Sequence, residues 1–179
     1  MKRALAGIAL ILAVCASGLA AAWWLRFTNA GPTTAEYLAH LGPAARLVPA
    51  GELTVEGAAF ACGRRPTMLA PGFSDYAAAF PGFLILNPER FETLPLILKR
   101  YAYAHECGHQ FVGRGEEDAD CYAIRAGLAE RWLDDAGLEA ICAFISRAKG
   151  DMRHPAGVQR LSLIHISEPT RLLSISYAV

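Results

Sequence analysis

The sequence predicts a small, helix-rich α+β domain, and three observations point there. A long helical pattern occupies residues 93–112, two further helical patterns follow it across short loops, and two short strand-like runs bounded by turn residues precede it. At 179 residues, with no internal repeat, the chain suits one compact unit with a real core.

Taken in order, the chain opens with Lys2 and Arg3, then an almost unbroken apolar run over residues 4–22 ending in Ala20-Ala21-Ala22 before Trp23-Trp24. These are the parts of a secretory signal, and the run is also long enough to stay as a single N-terminal anchor with the two tryptophans and Arg26 at the interface. A lipoprotein reading of Cys15 is disfavoured by Val14, where a small residue is expected. Each version leaves the positive end inside and places the body outside the cytoplasm, in the periplasm or secreted. Residues 23–50, with Gly31, Pro32, Gly42, Pro43 and Pro49, read as a lead-in around a short helix, Thr34–Leu41. Leu53–Val55 and Phe83–Leu86 read as strands.

The long helix takes Thr93 as N-cap and Pro95 in its first turn, and Gly113-Arg114-Gly115 stops it. Glu116, Glu117 and Asp118 then favour the positive N-terminus of a second helix, and Leu138, Ile141, Cys142 and Ile145 mark a third. The working domain is expected over residues 51–161. From Ser162 the text SLIHISEPTRLLSISYAV resembles translated sequencing-adapter read-through, so residues 162–179 are set aside as a non-native tail.

Charge excludes one class of partner. Lys plus Arg and Asp plus Glu are both 17, so no basic surplus exists to neutralise phosphates, and nucleic acid is not expected. The 54% hydrophobic content is concentrated at the N-terminus, which gives a membrane link through that segment alone.

The long helix contains His105-Glu106-Cys107-Gly108-His109, an HExxH pattern. Histidines at i and i+4 lie one turn apart on one face and can share a Zn²⁺, while the adjacent Glu106 can reach a water on the ion and act as general base. Two histidines leave a tetrahedral site incomplete. Glu116 and Asp120, four apart on the second helix, are both candidates for the third ligand, whereas Gly115 stands where a metzincin would place its third His. Protein or peptide is the expected substrate.

Glu116-Glu117-Asp118-Ala119-Asp120 resembles the ExxAD segment of gluzincin metallopeptidases related to the CAAX prenyl endopeptidase and the heat-shock membrane metalloprotease. His154-Pro155 with Arg160 resembles the HPxxxxR segment of the same family. The resemblance covers roughly residues 83–160. It implies a minigluzincin-like fold, Glu116 as third zinc ligand, Asp120 as the partner of His105 through its far nitrogen, and catalytic support from His154 and Arg160. Only seven positions separate His109 from Glu116, fewer than is usual in those relatives, and a tight hairpin about Arg114 would put Asp120 nearest the histidines. The expected activity is zinc-dependent hydrolysis of peptide bonds. A zinc amidase acting on cell-wall peptides and a non-catalytic, zinc-stapled envelope protein are the rival readings. In an oxidising compartment a disulfide between Cys107 and Cys121 would clamp the two site helices, one of three pairings open to Cys62, Cys107, Cys121 and Cys142.

Overall fold

Phe83, Leu84, Ile85 and Leu86 make a run with no polar member, and such a run suits a strand covered on both faces. In the computed structural model, which describes residues 31–150, 156, 157 and 159–161, that run is β6 (Phe83–Leu86), buried throughout. It lies inside a four-stranded sheet with β1 (Arg46–Val48), β4 (Thr67–Leu69) and β5 (Ala77–Phe80), in the order β1-β4-β6-β5. β1 runs antiparallel to β4, β4 parallel to β6, and β6 antiparallel to β5. β2 (Leu53–Val55) and β3 (Ala58–Phe60) form a separate two-stranded hairpin.

Gly82, at φ 87°, follows Pro81 in the tight β5–β6 turn, the left-handed position where glycine costs nothing. Side chains alternate across a strand. Leu84 and Leu86, with their partners Ala79 and Ala77, therefore share one face, while Phe83 and Ile85, with Phe80 and Ala78, share the other. On the second face Tyr37, Leu38 and Leu41 of α1 (Thr34–Leu41) pack against Met68, Phe83 and Ile85. The residues read as a lead-in thus add α1 and β1 to the compact unit, which begins at Thr34.

Asn87 caps α2 (Pro88–Glu92): its side-chain oxygen accepts from the Glu89 and Arg90 amides, at 2.9 and 3.2 Å, and Pro88 needs no donor there. Thr93 closes this short helix, and the long helix α3 (Leu96–Val112) starts three residues later with Pro95 as its cap, correcting the cap assigned to Thr93. α4 (Glu116–Ala129) and α5 (Asp135–Ser146) follow, the latter capped by Asp134, whose carboxylate accepts from the Gly137 amide at 2.8 Å. Leu84, Leu86, Leu98, Tyr103, Ala123, Ile124 and Ile141 belong to one buried cluster spanning the sheet and these helices.

α3 and α4 cross closely at Gly108. A Cβ there would stand 3.2 Å from both Cα and O of Ala119 and 3.1 Å from Tyr122 Cβ, so the absent side chain is what permits the approach. Among the described residues no helix is long and apolar enough to cross a membrane. The apolar N-terminal run and the adapter-like tail lie outside them.

Candidate metal centre

His105 and His109 stand one turn apart on α3, and their Nε2 atoms approach to 3.2 Å. The Glu116 carboxylate closes the group, with Oε2 3.2 Å from His105 Nε2 and Oε1 3.4 Å from His109 Nε2. Donors bound to one ion at ~2.0–2.1 Å with tetrahedral angles stand about 3.3 Å apart; the two Nε2 atoms lie at that spacing, each has one Glu116 oxygen near it, and one ligand atom from each residue lies within 4.8 Å of the others. His105, His109 and Glu116 form a group that could hold a metal ion.

Hydrogen bonds at the far side of each ring fix its orientation. His105 Nδ1 lies 2.7 Å from Asp120 Oδ1, and His109 Nδ1 lies 2.8 Å from the Gly113 carbonyl. Both neighbours can only accept, so each Nδ1 carries a proton and donates it, which turns each Nε2 toward Glu116. Burial alone would lower the pKa of His105, but the hydrogen bonds to Asp120 and Glu116 and the charge of Glu106 raise it to about 9.

The crossing at Gly108 sets the two acids in different places. The close approach there sets Asp120 beside the far nitrogen of His105, while Glu116, near the start of α4, reaches both Nε2 atoms with its longer side chain. Glu116, not Asp120, therefore stands in the group that could hold a metal ion.

Asp120 has no exposed surface. Its Oδ1 accepts from His105, from Tyr101 Oη at 2.6 Å and from Arg160 Nη2 at 2.7 Å, and its Oδ2 accepts from Arg160 Nε at 2.8 Å. Burial would raise its pKa, but Arg160 and His105 hold it below the usual carboxylate value. Arg160 is itself buried, and its Nη1 stands 3.7 Å from Glu116 Oε2. The chain thus brings Arg160 behind both acids, where it steadies the ligand side chains. His154 lies outside the described residues.

Glu106 follows His105 on α3 and is half-buried. Burial pushes its carboxyl above the usual range, against the lowering charges of His105 and His109.

The expected Cys107–Cys121 clamp is not formed. Cys107 is bonded to Cys62, with the Cα atoms 5.5 Å apart, and Cys121 and Cys142 remain thiols. Cys107 is buried in the core cluster that also holds Cys62, whereas Cys121 lines a surface groove with Val112, Tyr122 and Arg125. The bridge ties the middle of the HExxH turn to the segment before β4.

Two residues of this region were not singled out by sequence. Tyr101 sits one turn before His105 and shares its carboxylate partner, a relation the i, i+4 spacing could have suggested. Gln110 joins segments 27 to 45 positions away in sequence, contacts that no local pattern signals. Compared with protein-family models, curated proteins and solved structures, the chain matches none.

Proposed function

We propose that this chain is a zinc-dependent endopeptidase of the gluzincin kind, working outside the cytoplasm. The observation that carries the reading is two ring nitrogens 3.2 Å apart with the Glu116 carboxylate oxygens 3.2 and 3.4 Å from them, and Glu106 on the turn between the two histidines. Two nitrogens and one carboxylate are a donor set that suits zinc, and three protein ligands leave a fourth position for chemistry. When bound, zinc supplies Lewis-acid polarisation of the scissile carbonyl and of the attacking water.

The chain's own residues do the rest. His105, His109 and Glu116 hold the ion, and Asp120, braced by Arg160 and Tyr101, keeps the His105 ring in register. Glu106 takes the proton from the attacking water and returns it to the leaving amine, and a carboxyl raised above its usual pKa is the better suited to both steps. His154 keeps its proposed role of stabilising the developing oxyanion.

β6 has no free edge, because β4 and β5 pair with it on either side; β5 and β1 hold the outer places in the sheet. β5 runs beside α3 and is the strand to which a peptide can add. The Cys62–Cys107 disulfide supports an oxidising compartment.

The test pairs zinc content with hydrolysis of an unfolded protein such as casein. Cleavage of cell-wall peptides without cleavage of casein would favour the amidase reading, and zinc with neither would favour the staple.

A further inference from the structure

Gln110, the residue after His109, spends its whole side-chain amide on one junction. Nε2 donates to the Phe80 carbonyl at 2.7 Å and to the Phe83 carbonyl at 3.3 Å. Oε1 accepts from the Gly82 amide at 3.2 Å and from Arg65 Nε at 3.1 Å. Both N–H groups and both lone pairs are in use, and three of the four contacts fall on the β5–β6 turn. Arg65 completes the assembly: its Nη2 donates to the Gln110 carbonyl at 3.4 Å, and its guanidinium lies 4.3 Å over the Phe111 ring.

We infer that Gln110 is a positioning residue that locks the C-terminal end of edge strand β5 to the turn of α3 carrying His109, so that whatever pairs with β5 is held in fixed register with the metal group. This rests on the peptidase reading and deepens it by saying how an extended polypeptide substrate is aligned. The physical argument is one of few constraints. β5 has a sheet partner on one side only, and Ala77 and Ala79, which share the helix-facing face with Leu84 and Leu86, bring no bulk to wedge the strand in place. The two-residue turn sets the register of β5 on β6 and Phe80 packs on Tyr37 and Phe83, so what is left to fix is fraying of the edge strand and its placement against α3. Gln110 supplies that fixing from the residue adjoining a metal ligand.

The chemistry also selects the residue. Glutamate has the same shape and keeps the acceptor that meets Arg65 and Gly82, but it turns two donated hydrogen bonds into a carboxylate oxygen facing two carbonyl oxygens. Methionine keeps the length and loses every bond.

The test compares wild type, Gln110→Glu and Gln110→Met by three readouts: zinc affinity by chelator competition, segment-resolved amide hydrogen exchange over residues 77–83, and KM and kcat on a casein-derived peptide. The expected result is zinc affinity within about twofold of wild type, exchange over residues 77–83 faster by about tenfold, and KM raised by about tenfold with kcat little changed. Unchanged exchange over that segment in folded variants would overturn the inference, as would unchanged KM in variants that still cleave. If no form cleaves but exchange rises as expected, the lock stands and the peptidase reading falls. A uniform rise in exchange across the whole fold would count against it, because that is ordinary loss of stability.

Discussion

Asp120 answers to three donors at once, and its loss should be felt at the metal before anything else. Replacing it with Asn keeps the volume but removes the charge that pairs with Arg160 and orients His105. Zinc affinity of Asp120→Asn is expected to fall by roughly 10- to 100-fold, read by chelator competition, while the circular dichroism spectrum stays that of the wild type. Affinity equal to wild type would show that His105 needs no such orientation. At this scale much of the site was legible. His105, Glu106 and His109 were marked by spacing on a helix, Glu116 and Asp120 by standing four apart on the next, and the division of roles between the two acids by a family resemblance. Which acid faces the ion depended on how closely two helices cross, and that is set by Gly108 against Ala119, residues with no chemistry to advertise. Tyr101 was not singled out because its hydroxyl partner lies 19 positions away.

Between elements, the α3–α4 crossing is the joint on which the metal group depends. Gly108→Val forces a branched side chain against the Ala119 backbone, which cannot rotate aside as a flexible side chain would. The expected cost is about 1–3 kcal/mol of stability, measured by denaturant unfolding, together with weakened zinc binding as Glu116 is carried away from the histidines. Full zinc affinity in a folded Gly108→Val protein would show that the crossing distance does not govern the site. The disulfide makes a second test. Removing the Cys62–Cys107 bridge, which spans 45 positions, should lower stability by about 2–4 kcal/mol, whereas Cys121→Ser and Cys142→Ser should leave unfolding nearly unchanged. Peptide mapping that found Cys107 bonded to Cys121 would contradict the observed pairing. Helices and the strands Leu53–Val55 and Phe83–Leu86 were legible because periodicity or an apolar run marks them. β1, β3, β4 and β5 form by pairing, β1 on β4, β3 on β2, and β4 and β5 on the two sides of β6, and the neighbour that each strand finds is not written in its own three or four residues.

Across the described residues, a buried cation joins two other segments, one 43 and one seven positions away in sequence. Lys99 is 1% exposed, and its Nζ pairs with Glu56, in the β2–β3 turn, and with Glu92 at 2.6 Å. Hydrogen bonds to Glu56 and then Glu92 raise its pKa above 10.5, which outweighs burial. A group whose folded pKa is raised gives its full stabilisation below the unfolded value and loses it as pH climbs through the folded one. The stability difference between wild type and Lys99→Met should therefore be constant up to about pH 10.5 and shrink above it. A difference that stayed constant through the alkaline range would show that packing of the side chain, not its charge, supplies the contribution. The α+β class was legible at this scale from the order of patterns, with strands before helices. The enclosure of β6 was not, since nothing in a four-residue apolar run says how many neighbours it will have.

The central claim is that Glu106 acts on water at a zinc ion held by His105, His109 and Glu116. The most direct measurement is zinc content and casein hydrolysis of residues 26–161, comparing wild type with Glu106→Gln. The account predicts one zinc per chain in both proteins, cleavage by the wild type, and loss of at least about a hundredfold in rate in the variant, the scale of a general base. Folded protein that neither carries zinc nor takes it up, or a variant that cleaves as well as wild type, would contradict it.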